Sequence, residues 1–260
     1  METVDYTPPK DLEPYINCVM VQKSVDPGGH TNIPLYADGY PGIMWQQAEE
    51  GFYLLPKGKK LSEFFLYGQT LEPVSLDAQG PFSFVVFQLY PFASKYLLGV
   101  DPRVLNDDCY DLLALPSIQG GGFHEALLGT ENLTEQTHII AQVMRTLLAE
   151  HRVPEHDLVQ LAIHKIIQAE GQVSVREVLE EVPMTERTLE RQFQAQVGLT
   201  PKQFAKIIQF QKALHSLNQS RYDRLVEVGV DSGFADQSHF IRTFKRYTGQ
   251  TPSYYLRHQA

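Results

Sequence analysis

The stretch SGFADQSHFIRTFKRYTGQTP, residues 232–252, reads as one amphipathic helix with a start signal and a stop signal. Asp236 is suited to cap the N-terminus, and Phe240, Phe244 and Tyr247 fall at i, i+4 and i+7, so a single apolar stripe faces inward. Gly249 is placed to end the helix in a left-handed conformation, and Thr251-Pro252 starts the next one. The opposite face offers Ser238, His239 and Arg242, with Lys245 and Arg246 a turn further on. This basic face closes a chain of 260 residues whose formal net charge is −9.

The same unit occurs once before. Shifting the sequence by about 51 residues lays TERTLERQFQAQVGLTPKQF (185–204) over DQSHFIRTFKRYTGQTPSYY (236–255), the kind of fixed-period self-similarity that marks a duplicated element. Arg191 falls on Arg242, Phe193 on Phe244, Gly198 on Gly249, and Thr200-Pro201 on Thr251-Pro252. In this copy Thr185 is the expected cap, Leu189, Phe193 and Val197 make the stripe, and Arg187, Thr188 and Arg191 occupy the outer face. A short helical segment precedes each copy, SVREVLEEV (174–182) and YDRLVEVGVDSG (222–233), which predicts two helix-turn-helix motifs. Between them PKQFAKIIQFQKALHSL (201–217) predicts a connecting helix of roughly 25 Å, comparable to the ~34 Å between successive major-groove faces on one side of a duplex.

Charge is distributed to match. Residues 171–260 hold 12 Lys and Arg against 9 Asp and Glu, leaving 10 against 22 for residues 1–170, so the acid lies in front and the cations behind. Arginine can read guanine bidentately in the major groove, Ser, Thr and His make smaller base contacts, and lysines at the edge neutralise phosphates. On that chemistry Lys202, Lys245 and Arg246 are candidate phosphate contacts. Glu186 and Glu190 beside the first-motif arginines either hold them in ion pairs one turn apart or discourage nonspecific phosphate binding.

The front of the chain has a different rhythm. INCVMVQ, GIMWQQ, GFYLL, EFFLYGQ and FSFVVFQLY are short, aromatic and β-branched, and are separated by turn signals such as DPGGH and ADGYPG, which predicts a β-sandwich or barrel. Sixteen of the 28 aromatics lie in residues 1–100; ordinary strand propensity and the lining of a ligand pocket both account for the excess. GGGFHE (120–125) lacks the Lys-Ser/Thr of a phosphate loop and reads as a flexible connection. Further on, Leu133, Ile140, Val143, Met144 and Leu147 recur at helical spacing as a stripe that either forms a homodimer contact or covers the barrel. His151 and His156 bracket a proline and read as linker.

At these residues a family resemblance emerges. The doubled motif ending in GFADQSHFIRTFKRYTGQTPSYY resembles the DNA-binding domain of the AraC/XylS transcriptional regulators over about residues 155–257. The resemblance implies seven helices there, with base readers at Arg187, Thr188 and Arg191 in the first motif and Ser238, His239 and Arg242 in the second. Gln209 departs from the pattern, which often has Arg at that point of the connecting helix. By layout alone, the front half resembles the sensor half of the same regulators. The expected architecture is therefore an α+β multidomain chain: a β-barrel or cupin-like sensor domain (1–125), a helical dimerisation and linker segment (126–154), and an all-α domain with two helix-turn-helix motifs (155–260). The partners implied are a double-stranded DNA operator, RNA polymerase, a small-molecule effector and a second copy of the chain.

Other classes fit less well. A metal-dependent cupin needs clustered histidines, and His30 is the only one before His124; no metal and no cofactor are expected. A DNA-repair alkyltransferase fused to such a reader needs a zinc-holding cysteine cluster, whereas Cys18 and Cys109 stand alone, so the chain is not expected to be an enzyme. Two separated cysteines and the lack of a leader or membrane-spanning stretch point to a reducing compartment, the cytoplasm. A helical module that docks onto protein instead of DNA is the remaining alternative.

Overall fold

The computed structural model describes residues 2–4, 7–151, 158–219 and 224–258; the linker residues 152–157, His156 among them, lie outside it. Backbone proximity divides the chain into two units, Met1–Leu35 with Tyr40–Gln69 and Val74–Glu155, and Tyr36–Gly39 with Thr70–Pro73 and His156–Ala260.

The front unit contains β1 (Glu2–Val4), β2 (Ile16–Ser24), β3 (His30–Leu35), β4 (Gly42–Ala48), β5 (Tyr53–Leu55), β6 (Lys59–Lys60), β7 (Phe64–Tyr67), β8 (Val74–Gln79), β9 (Phe82–Leu89) and β10 (Cys109–Asp111). Its helices are α1 (Ala93–Leu98), α2 (Pro116–Gln119), α3 (Phe123–Leu128) and α4 (Leu133–Glu150). Two antiparallel sheets form, ordered β1-β2-β9-β4-β7-β10 and β3-β8-β5-β6. The apolar run of β9 follows from its central place: Phe82, Phe84 and Val86 face the second sheet, while Val85, Phe87 and Leu89 are buried on the other face. The sequence pattern did not reveal β3 and β8. HTNIPL alternates weakly and carries Pro34, which a sheet edge tolerates, and VSLDAQ is half polar.

Between the sheets the aromatics fill the space. Phe52 meets Phe82 edge-on at 5.2 Å and Phe84 at 5.8 Å, and Phe82 stacks on Phe84 at 6.0 Å, among Met44, Leu54, Phe65 and Leu76. The aromatic excess is thus a packed core. A cavity of about 1020 Å³ lies instead at one end of the strands, where Lys23, Gln47, Glu49 and Glu63 meet Leu128 and Gln136.

Two expectations for this unit are corrected. GGGFHE is not a flexible connection: Gly122, at φ 64°, starts α3, and His124 Nε2 sits 2.7 Å from Glu63 Oε2 with its ring edge-on to Trp45 at 6.0 Å. Nor is the α4 stripe available for a dimer. Asn132 caps the helix by accepting from the amides of Thr134 and Glu135, and Ile140, Val143, Met144 and Leu147 are at most 1% exposed, packed within the unit that holds α1 and β9. Side chains already buried in one subunit have no area left to bury against another. Leu133 alone of the five stays at the surface, at 42% exposure. His151 ends this helix, its Nδ1 3.1 Å from the carbonyl of Leu147.

The second unit has seven helices among the described residues: α5 (Leu158–Gln168), α6 (Val175–Leu179), α7 (Glu186–Val197), α8 (Pro201–Asn218), α9 (Leu225–Asp231), α10 (Gln237–Thr248) and α11 (Pro252–His258). None of the described helices is long and apolar enough to cross a membrane.

Candidate nucleic-acid interface

Each motif is built by its caps. Thr185 accepts from the amide of Thr188 at the start of α7, and Asp236 accepts from the amide of His239 at 2.7 Å at the start of α10. Gly198 (φ 83°) and Gly249 (φ 77°) end the two helices in the left-handed region. Leu189, Phe193 and Val197 are buried on α7, and Phe240, Phe244 and Tyr247 on α10, as their spacing requires. In the second motif Gly229 allows close approach of α9, since a Cβ there would lie 3.2 Å from Cβ of Phe240. Asp236→Ala removes the cap of α10, and a loss of about 1 kcal/mol in unfolding free energy is expected by denaturant titration; an unchanged midpoint would contradict this.

The connector is held at both ends. Thr200 and Gln203 form a reciprocal capping box: Thr200 Oγ1 accepts from the Gln203 amide at 3.1 Å, and Gln203 Oε1 accepts from the Thr200 amide at 2.9 Å. From there α8 runs 18 residues, about 27 Å. Phe204 packs on Phe193 of the first motif at 5.7 Å, and Phe210 packs on Phe244 and Tyr247 of the second at 5.6 and 5.1 Å. Gln209, the departure from the family pattern, lies against Gly171, whose φ of 74° and bare Cα let the chain pass the backbone of α8.

The structure turns most of the anticipated residues outward. Arg187, Arg191, Lys202, Ser238, Arg242, Lys245 and Arg246 are exposed. Thr188 is half-buried, with Oγ1 2.9 Å from Oγ1 of its cap residue Thr185, so this hydroxyl is already engaged. His239 is also half-buried, edge-on to Phe234 at 5.4 Å. Burial and the charges of Lys206 and Arg242 hold its imidazole below the ordinary histidine range, against the opposing pull of Asp236.

What these cations lack is as informative as where they lie. Among the described residues none of Arg187, Arg191, Lys202, Lys206, Arg242, Lys245 and Arg246 has a carboxylate within 4 Å, while Lys165 and Lys212 of the same unit are paired with Glu181 and Glu170. Of the two roles open to Glu186 and Glu190, the ion pairs do not form among the described residues. Lys206 was not anticipated at all. It lies one turn after Lys202 on α8, a spacing legible in the sequence, and burial together with Arg246, Lys202 and Arg242 lowers its pKa.

A helix-turn-helix domain family matches residues 178–258, the segment that contains α7, the connector and the whole second motif. Over this segment the chain is similar to transcriptional regulators of the AraC/XylS type. The chain is 34% identical over 80 residues to the transcriptional activator RhaS of Escherichia fergusonii, and 32% identical over 94 residues to the transcriptional regulator MtrA of Neisseria gonorrhoeae. Those matches cover 31% and 36% of this chain but only 28% and 31% of the two relatives. The front half, residues 4–111, matches a domain family of unknown function, DUF6597. The chain also shares its fold with the crystal structure of ToxT from Vibrio cholerae O395, at TM-score 0.50 and 10% identity over 92% of this chain and 97% of that one.

Proposed function

We propose that the chain is a sequence-specific transcriptional regulator that sets α7 and α10 into neighbouring major grooves of an operator, with Arg187, Arg191, Ser238, His239 and Arg242 toward the bases. The observation that carries this is the repeated set of cations, unpaired among the described residues, on two equivalent helices joined by a connector of about 27 Å, close to one helical repeat of DNA. Thr188 contributes through its position in the cap more than through a free hydroxyl. Lys202, Lys245 and Arg246 serve the phosphates. RNA polymerase is the partner at the promoter, the cytoplasm is the compartment, and no catalytic step belongs to this reading.

The front unit, residues 1 to about 150, is the sensor. Because the space between its sheets is filled, a small molecule enters the cavity at the strand ends, where α3 and the first turn of α4 form part of the wall. A homodimer remains part of the reading, through a surface other than the buried α4 stripe.

Selection from a random duplex pool by the full chain tests the proposal. The expected product is a bipartite site with two elements about one helical turn apart, and tandem or inverted copies of it if two chains bind together. A pool that stays random, or retention that ignores salt, would favour the protein-docking alternative.

A further inference from the structure

Helices α8 and α10 each carry two cations one turn apart, Lys202 with Lys206 and Arg242 with Arg246. Like charges at this spacing repel one another, and here the two pairs stand on helices that pack together through Phe210, Phe244 and Tyr247. The other three cations all act on the Lys206 ammonium, which is half-buried and thereby stripped of part of its hydration. No described carboxylate lies within 4 Å of any of the four. Two acids of this unit are committed elsewhere: Glu170 holds Lys212, six residues along the same connector, and Glu181 holds Lys165 at 2.5 Å.

The place of the cluster gives it a use. Phe204, two residues before Lys206, packs on Phe193 of α7, and Phe210, four residues after it, packs on Phe244 of α10. Lys206 therefore sits between the anchors of the two motifs, close enough to α10 for its charge to act on His239. A DNA strand that leaves one major groove and enters the next presents phosphates along such a span. One phosphate accepts several charge-assisted hydrogen bonds and removes the repulsion among the cations at the same time.

We propose that Lys202, Lys206, Arg242 and Arg246 form a seat for a single backbone phosphate of the DNA strand crossing between the two reading helices, with Lys206 as its floor. The seat rests on the DNA-binding reading above and adds a residue and a register to it: the phosphate fixes the sliding position of the connector on the duplex, while the outer arginines identify bases.

Full-length wild type, Lys206→Gln, Lys206→Arg and Lys212→Gln are titrated onto a random-sequence duplex of about three helical turns at salt from about 0.05 to 0.3 M, and their thermal unfolding is recorded. The log–log salt slope of Lys206→Gln is expected to fall by about 0.9, with binding about fivefold weaker near 0.15 M salt. Lys206→Arg keeps the wild-type slope, and Lys212→Gln, whose charge is already neutralised, keeps it too. Thermal unfolding of Lys206→Gln occurs at or above the wild-type temperature, because a buried repulsion has been relieved. A Lys206→Gln slope equal to wild type overturns the seat and leaves DNA binding standing. A Lys206→Gln chain that melts earlier than wild type assigns the lysine to stability, and also overturns it. Wild type that binds no duplex at any salt overturns the seat and the DNA reading together.

Discussion

Arg191→Ala is expected to weaken binding to the selected duplex by about 1–3 kcal/mol, the loss that follows removal of a good bidentate base contact. Binding to a random duplex should stay near wild type, so the specific-to-random ratio falls by about 5- to 150-fold. The side chain is exposed, has no carboxylate within 4 Å among the described residues, and belongs to a helix whose stripe holds it rigidly against the core, so nothing inside the fold compensates for its loss. Arg242→Ala in the second motif is expected to cost as much on the selected duplex, but its random binding should weaken as well, because the same guanidinium acts on Lys206 in the four-cation cluster. Measuring both duplexes side by side separates the roles. If Arg191→Ala kept the wild-type ratio, α7 would hold its groove by shape and phosphate contacts alone.

The helical unit was legible because local and long-range signals agreed. Thr185, Asp236, Gly198 and Gly249 mark helix ends by chemistry that acts within one turn, and the 51-residue repeat turned two weak patterns into one strong one. The front unit was less legible for a physical reason. Spacing says that one face of α4 is buried, but it does not say against what, and Val143 at 0% exposure satisfies a sheet as well as a second subunit. The edge strand β3 hides behind Pro34 and alternating polar residues, since an edge needs no continuous apolar run. Lys206 escaped notice because its surroundings come from two helices some thirty to forty residues apart in sequence, and charge repulsion across that gap leaves no local pattern.

Phe244→Ala should have the largest effect on stability in the reader. Phe244 is 0% exposed and lies at the junction of three helices, 5.6 Å from Phe210 of α8, 5.9 Å from Phe240 of its own helix and 5.4 Å from Tyr255 of α11. Truncating a buried Phe costs about 3–5 kcal/mol through lost transfer energy and a cavity. The surrounding rings cannot collapse into the space, because Tyr255 is tied through its hydroxyl to Asn218 Oδ1 at 2.9 Å and Phe210 is fixed by Tyr247 on its other side. A domain of this size has a total stability of about 5–15 kcal/mol, so its unfolding midpoint should fall by about 15 °C or more. The loss of DNA binding that follows differs in kind from that of Arg191→Ala: selected and random duplexes are released alike, and excess selected duplex restores part of the midpoint, since a ligand that binds only the folded state stabilises it by mass action. A Phe244→Ala chain that melted within about 1 kcal/mol of wild type would mean that α10 is held by its caps and not by its stripe. Then Asp236→Ala, and not the aromatic junction, would have to account for the position of Arg242 and the cluster beside it.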